Sequence, residues 1–339
     1  MTTTRVLVTG GAGFIGSAYV RALLGPSGPP GVAVTVLDKL TYAGNPANLD
    51  EVRHMDRFAF VRGDICDAEL VDGLVAVHDH VVHFAAESHV DRSILGADTF
   101  VRTNVLGTQT LLDAALRHAP KTFVHISSDE VYGSIRAGSW PETDPLRPNS
   151  PYSASKAASD LIALSYHRTH GLDVRVTRCS NTYGPHQYPE KVVPLFITRL
   201  LDGEPVPLYG DGHNVRDWIH VDDHVRAIEL VRSRGRPGEV YNIGAGHELS
   251  NRQLTGLLLR ACGAGWGMVS YVEDRKGHDW RYSVDFTKIR TELGFAPRKD
   301  PATGLAETVD WYRTHRSWWE PLPRRTERGQ KANSTKVPP

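Results

Sequence analysis

The run Gly10-Gly11-Ala12-Gly13-Phe14-Ile15-Gly16 constrains this chain most, because it follows an apolar stretch at 5–9 and opens a helical pattern at 16–24. Glycines at 10, 13 and 16 permit a tight strand-to-helix turn. They also let backbone N–H groups and the positive end of a helix approach an anion such as a pyrophosphate. A glycine triplet alone is weak evidence, since ordinary strand-to-helix turns use it too. Its surroundings decide. Apolar runs at 5–9, 34–38, 58–61, 81–85, 122–126 and 174–178 alternate with helical spacing at 16–24, 99–118 and 152–170. The alternation predicts an α/β chain, a Rossmann-type doubly wound parallel sheet with helices on both faces.

The pattern loosens near residue 183. Gly-Pro breaks, short strands at 239–243 and 269–272, and short helices at 192–201 and 254–262 predict a smaller C-terminal substrate-binding lobe. The expected organisation is a dinucleotide-binding domain over 1–183 and a mainly substrate-binding lobe over 184–322. The chain should return to the first domain around 214–245, and a polar tail over 323–339 should lack order. The 39 basic and 39 acidic residues balance, so neither nucleic acid nor a membrane surface is an expected partner. Cys66, Cys179 and Cys262 are widely spaced, which fits reduced thiols better than a disulfide framework or a zinc site; no metal is expected. The start lacks the apolar stretch of a signal peptide and no run could span a bilayer, so a soluble, cytoplasmic protein is expected.

Asp38 ends the second apolar run about twenty residues past the glycines, where a carboxylate binds both ribose hydroxyls and repels a 2′-phosphate. The expected cofactor is therefore NAD rather than NADP, although Asp38 could instead cap a turn. Asp64-Ile65 and Phe84-Ala85-Ala86-Glu87-Ser88 fall at the carboxyl ends of further strands, where ligands of open α/β sheets collect.

Tyr152 and Lys156 are four apart in a helical segment and so share a face. A nearby ammonium and a cationic nicotinamide would favour the phenolate, letting Tyr152 take the proton of an alcohol. A surface helix could carry the same spacing with no role. Ser128 lies just past the strand at 122–126, followed at once by Asp129 and Glu130. Adjacent carboxyls can divide into an acid and a base when their environments separate their pKa values. Most Asp-Glu pairs merely tip a solvated loop; position distinguishes this one.

These features together resemble the extended short-chain dehydrogenases/reductases of the nucleotide-sugar branch, and most closely the dTDP-glucose 4,6-dehydratase family. The resemblance runs from about residue 5 to 319. It includes Leu40-Thr41-Tyr42-Ala43-Gly44-Asn45, the run His83-Phe84-Ala85-Ala86-Glu87-Ser88-His89-Val90-Asp91-Arg92-Ser93, and Asp274-Arg275-Lys276-Gly277-His278-Asp279. It implies oxidation at carbon 4 of the glucose, elimination of water across carbons 5 and 6, and hydride return to carbon 6, with tightly bound NAD regenerated each turnover. Tyr152 would be the oxidation base, assisted by Lys156 and Ser128; Glu130 would remove the carbon 5 proton and Asp129 protonate the leaving hydroxyl. The same resemblance adds Lys39, Leu40, Thr41, Thr103 and Thr182 to the cofactor site, with Ser88 shared between cofactor and substrate. It assigns Asn181, Lys191, Val192, Pro207, Tyr209, Arg216, Asn251, Asp274, Arg275 and His278 to the nucleotide sugar. Guanidinium forks at Arg216 and Arg275 suit a diphosphate, and Tyr209 offers a flat surface to a pyrimidine.

The family pairs the helices at 98–118 and 152–170 between subunits, implying a homodimer through a four-helix bundle, although packing within one subunit would also explain their apolar stripes. Two departures stand out: Ser128 replaces the family's threonine, and Thr182 replaces a second asparagine on the nicotinamide side. UDP-glucose dehydration, 4-epimerisation and a non-enzymatic NAD-binding regulator are the alternatives. Epimerisation requires no acid/base pair, and a regulator would not require Ser128, Asp129, Glu130, Tyr152 and Lys156 together.

Overall fold

The structure, a computed structural model, describes residues 3–274 and 278–323. Its strands are β1 (Thr4–Thr9), β2 (Val32–Asp38), β3 (Phe58–Arg62), β4 (His80–His83), β5 (Thr122–Ser128), β6 (Val174–Cys179), β7 (Asn181–Tyr183), β8 (Val206–Tyr209), β9 (Val215–His220), β10 (Val240–Ile243), β11 (Glu248–Ser250) and β12 (Val269–Val272). Seven of them form one parallel sheet in the order β10-β6-β5-β4-β1-β2-β3. The order reverses between β1 and β4, which opens a crevice at their carboxyl ends.

The alternation along each strand explains the two faces. Val6, Val8, Val34 and Val36 pack with the helices Phe14–Leu24 and Val221–Arg234 on one side. Leu7, Leu37, Val81 and Phe123 pack with Ala68–Ala76, Thr108–His118 and Pro151–His170 on the other. Each fully buried Val or Leu side chain contributes about 1.5–3 kcal/mol. Two small sheets, β11-β9-β7 and β12-β8, complete the described strands. Tyr183, Phe196, Trp218, Leu258 and Trp319 form a separate core beside them.

The strand read at 239–243 is β10, which pairs with β6 in the main sheet, inside the stretch expected to return to it. Two expectations change. The strand read at 81–85 ends at His83. The single helix read at 99–118 is interrupted: Asp98–Phe100 and Thr108–His118 are α-helical, while Val101–Gly107 is a π-helical turn. Asn104 lies inside that turn, and its side chain accepts from Glu87 N (2.8 Å) and donates to Glu87 O (3.0 Å) and Ser155 Oγ (2.8 Å). Holding this buried amide against the β4 loop widens the turn.

The Pro151–His170 helix is firmly bounded. Ser150 and Ser153 form a reciprocal capping box, Pro151 follows the cap, and Gly171 closes the far end at φ 73°. Its start, and with it the placement of Tyr152, is set locally. The tail from residue 324 onward and Arg275 lie outside the described residues. Among the described residues, no helix is long and apolar enough to cross a membrane.

Candidate active site

The carboxyl ends of β1, β2, β4, β5 and β6 surround one cleft of about 320 Å3. Its walls include Gly10, Gly13, Phe14, Ile15 and Gly16 at one end and Ser128, Asp129, Glu130, Tyr152 and Lys156 at the other. Asp38, Lys39, Thr41, Asp64, Ile65, Phe84, Ala85, Ala86, Ser88, Thr103, Asn181, Thr182 and Lys191 also line it. Leu40 does not, but its N–H donates to Asp38 Oδ1 at 2.8 Å. Val192, Pro207, Tyr209, Arg216, Asn251, Asp274 and His278 are not among these walls either.

The glycine turn is built for a close approach. Gly10 sits at φ 70°, and a Cβ there would fall 2.5 Å from Ala85 N. A Cβ on Gly16 would collide with Gly10 O. The Phe14–Leu24 helix has neither a side-chain cap nor an acidic residue in its first turn, so its N-terminus remains open to an anion. Asp38 is buried, which pushes its carboxyl up, while N–H groups of Ala12 and Leu40 act downward. Lys39 and Asp64 pair at 2.7 Å across the rim. Burial acts upward on Asp64, yet hydrogen bonds from Lys39 and Cys66 N hold it below the usual carboxylate range. A glycine cradle, an open helix end and a ribose-height carboxylate fit a dinucleotide without a 2′-phosphate.

At the other end, Ser128 closes β5 and opens a short 3-10 turn, Asp129–Tyr132, by accepting from Glu130 N at 3.2 Å. That turn separates the two carboxyls. Asp129 is 2% exposed, and its Oδ2 has no hydrogen-bond partner. Burial first, then the charge of Glu130, raises its pKa well above the ordinary value, a shift that favours the protonated carboxyl. Glu130 is half-buried.

Tyr152 departs from expectation. Burial, followed by the charge of Glu130, pushes its phenol up, and a hydrogen bond with Ser128 is the main opposing effect. Lys156 is not among the groups acting on it; its Nζ donates to Ile126 O at 2.7 Å. Burial lowers Lys156 to about 8.

Several residues here escaped the sequence reading. Tyr188 and Glu190 line one side of the cleft, and Tyr42 and Arg92, from two other segments, pack against them. The Arg92 guanidinium lies 3.8 Å over the Tyr42 ring and 3.3 Å from Glu190 Oε2, while Tyr188 meets Tyr42 edge-on at 5.6 Å. Thr182 Oγ1 is 2.9 Å from His224 Nδ1, and His224 also lines the cleft. No local motif marks His224; only the crossing of its helix behind β6 brings it there. Arg216 is buried over the Tyr282 ring (4.1 Å) and donates to Asp279 O (2.9 Å). Lys191 Nζ donates to Ser88 O at 2.7 Å, and His278 Nδ1 lies 2.7 Å from Asp274 Oδ1. No group of three or more His, Cys, Asp or Glu among the described residues is placed to hold a metal.

The sequence model of the GDP-mannose 4,6 dehydratase family matches residues 7–308. A dTDP-glucose 4,6-dehydratase of Streptomyces griseus is 69% identical over 320 residues, covering 94% of this chain and 97% of that relative. The chain is a nucleotide-sugar 4,6-dehydratase by family. A solved dTDP-glucose 4,6-dehydratase, DesIV of Streptomyces venezuelae with NAD bound, superposes with a TM-score of 0.93 at 61% identity, covering 94% of this chain and all (100%) of that one. The fold is shared more widely than dehydration. A UDP-glucose 4-epimerase of Thermotoga maritima reaches a TM-score of 0.85 at 34% identity, covering 92% of this chain and 99% of its own. What separates the 4,6-dehydratases from that neighbour must therefore lie in site residues rather than in the sheet.

Proposed function

We propose that this chain converts dTDP-glucose to dTDP-4-keto-6-deoxyglucose with NAD held in the cleft. The observation that carries the reading is the divided carboxyl pair: Asp129 buried with its pKa raised, Glu130 half-buried beside it, in the same cleft as Tyr152 and the glycine turn. NAD, when bound, supplies hydride acceptance at carbon 4 and hydride return to carbon 6. Gly10, Gly13, Phe14, Ile15 and Gly16 cradle its pyrophosphate, and Asp38 takes the adenosine ribose hydroxyls. Lys39, Leu40, Thr41, Asp64, Ile65, Phe84, Ala85, Ala86, Ser88, Thr103 and Thr182 complete the cofactor walls.

Tyr152 takes the carbon 4 hydroxyl proton, with Ser128 holding that oxygen and Lys156 supplying positive charge nearby. The ketone acidifies carbon 5, whose proton Glu130 removes. Asp129 gives its proton to the departing carbon 6 hydroxyl. Ser88, Asn181, Lys191, Val192, Pro207, Tyr209, Arg216, Asn251, Asp274, Arg275 and His278 bind the nucleotide sugar. Residues 184–322 supply most of that binding, and residues 1–183 hold the cofactor. A thymine over a uracil gains one methyl, worth about 1 kcal/mol in an apolar pocket.

The proposed assembly is a homodimer, supported by Val101, Leu106 and Leu161, which are 54%, 45% and 55% exposed on the two long helical segments. A four-helix bundle between two copies would cover them. Three free thiols and an activated-sugar substrate favour the cytoplasm.

The test uses protein as purified, without added NAD, and dTDP-glucose deuterated at carbon 4. Loss of water with deuterium recovered at carbon 6 is the expected result. An unchanged mass with galactose configuration would replace dehydration by epimerisation.

A further inference from the structure

The short helix Arg316–Trp319 lies far along the chain from the glycine turn, yet one side chain joins the two. Trp318 Nε1 donates to Asn48 Oδ1 at 2.9 Å, and Asn48 Nδ2 donates to Ala12 O at 2.9 Å. Ala12 stands between Gly11 and Gly13, and Asn48 is buried in the 3-10 turn Pro46–Leu49. The reaction above assigns no part to Trp318 or Asn48.

Chemistry fixes the direction of this relay. An indole nitrogen only donates and a backbone carbonyl only accepts, so one orientation of the Asn48 amide satisfies both neighbours. The carbonyl it holds belongs to a fully restrained peptide. Ala12 is buried, and its N–H is taken by Asp38 Oδ2 at 2.9 Å. Its oxygen also accepts from Asn45 N at 3.0 Å, while the next N–H, on Gly13, donates to Gly10 O at 3.1 Å. The Ala12–Gly13 peptide thus stands immediately before the open end of the Phe14–Leu24 helix, whose first residues line the cleft. Turned over, it would set the negative end of a carbonyl where the helix end favours an anion.

Trp318 is itself wedged in place. It meets Trp311 at 5.1 Å and His186 edge-on at 5.6 Å, and His186 lies 4.4 Å from Trp311. The same group reaches a wall of the cleft, because Tyr312 Oη donates to the carbonyl of Gln187, a lining residue. Packing accounts for an aromatic ring at position 318, and phenylalanine would serve it. The N–H given to Asn48 is what packing leaves without a role.

We propose that Trp318 is a positioning residue for the cofactor: through Asn48 it holds the Ala12 carbonyl out of the glycine cradle, and so sets how long NAD stays bound. The inference rests on the reading of the turn from Gly10 to Gly16 as the pyrophosphate cradle.

The experiment loads purified protein with radiolabelled NAD, chases with unlabelled NAD and follows the label that remains bound. Trp318→Phe keeps a ring and removes the N–H; label should leave about 2–10-fold faster, the equivalent of one hydrogen bond. Trp319→Phe is the control. Trp319 is fully buried and its Nε1 donates to Tyr312 O at 2.7 Å, so that variant loses the same kind of bond at a more buried place. Tm should fall further for Trp319→Phe, while release should quicken more for Trp318→Phe. Release that follows Tm instead overturns the inference and leaves Trp318 a packing residue. Should Trp319→Phe not fold, a cycle with Asn48→Ala decides. Label should leave Asn48→Ala quickly, and adding Trp318→Phe should quicken it no further; additive effects overturn the inference. Wild-type protein that takes up no labelled NAD overturns the cradle reading and this inference together. Wild type that retains NAD, with release from Trp318→Phe no faster, overturns this inference alone.

Discussion

The buried carboxyl of Asp129 makes the sharpest prediction at the scale of single residues. Because burial and the charge of Glu130 both favour its neutral form, an amide of the same shape suits the site. Asp129→Asn should keep its stability within about 1 kcal/mol while losing ~10²–10⁴-fold in turnover. Reduced-nicotinamide absorbance should then build up, since oxidation is spared and elimination stalls. Tyr152→Phe should show no such absorbance. Stopped-flow spectra with dTDP-glucose distinguish the two; undiminished turnover in Asp129→Asn would remove it from the mechanism.

Lys156 adds a pH dependence. Its pKa falls from 10.5 unfolded to about 8 folded, so between those values the unfolded chain binds more protons and stability rises with pH. The contribution is on the order of 3 kcal/mol across the window. Activity should fall over the same range as the ammonium is lost. Urea midpoints of wild type against Lys156→Met should isolate the slope, which the variant lacks. Sequence spacing brought Tyr152 and Lys156 onto one face, but the direction of the tyrosine's shift was not legible. It depends on burial and on Glu130, which lies across a loop and has no local signature.

Elements recorded in short-range patterns were readable. The alternation of apolar runs and helices located six strands of the main sheet, and Gly10 to Gly16 marked the turn where its crevice opens. Long-range partners were not. The π-helical turn at Val101–Gly107 answers to Asn104 meeting Glu87, a contact between elements that no periodicity encodes. The β10 strand was visible as a strand, yet its neighbour was not, because pairing with β6 is a matter of topology. Val221–Arg234 passed unnoticed although acids open it and arginines close it, as its dipole favours. Asn104→Ala should unsatisfy Glu87 N and O at once, costing about 1–3 kcal/mol and loosening the wall at Ser88. Hydrogen exchange at residues 86–89 should rise before global unfolding; unchanged protection there would exclude that link.

For the molecule as a whole, the exposed row Val101, Leu106 and Leu161 predicts association. Leu161→Lys should shift the mass measured by light scattering from dimer towards monomer, and a wild-type monomer would dismiss the bundle. The wall at Tyr188 and Glu190 works on the same scale, because Tyr42 and Arg92 support it from stretches far apart in sequence. In the proposed reaction each turnover returns the hydride it took, so a dinucleotide that stays bound is a resident part rather than a traded reagent. Its oxidation state is then set only by the sugar passing through, and turnover should be indifferent to the ratio of free NAD to NADH in the surrounding solution.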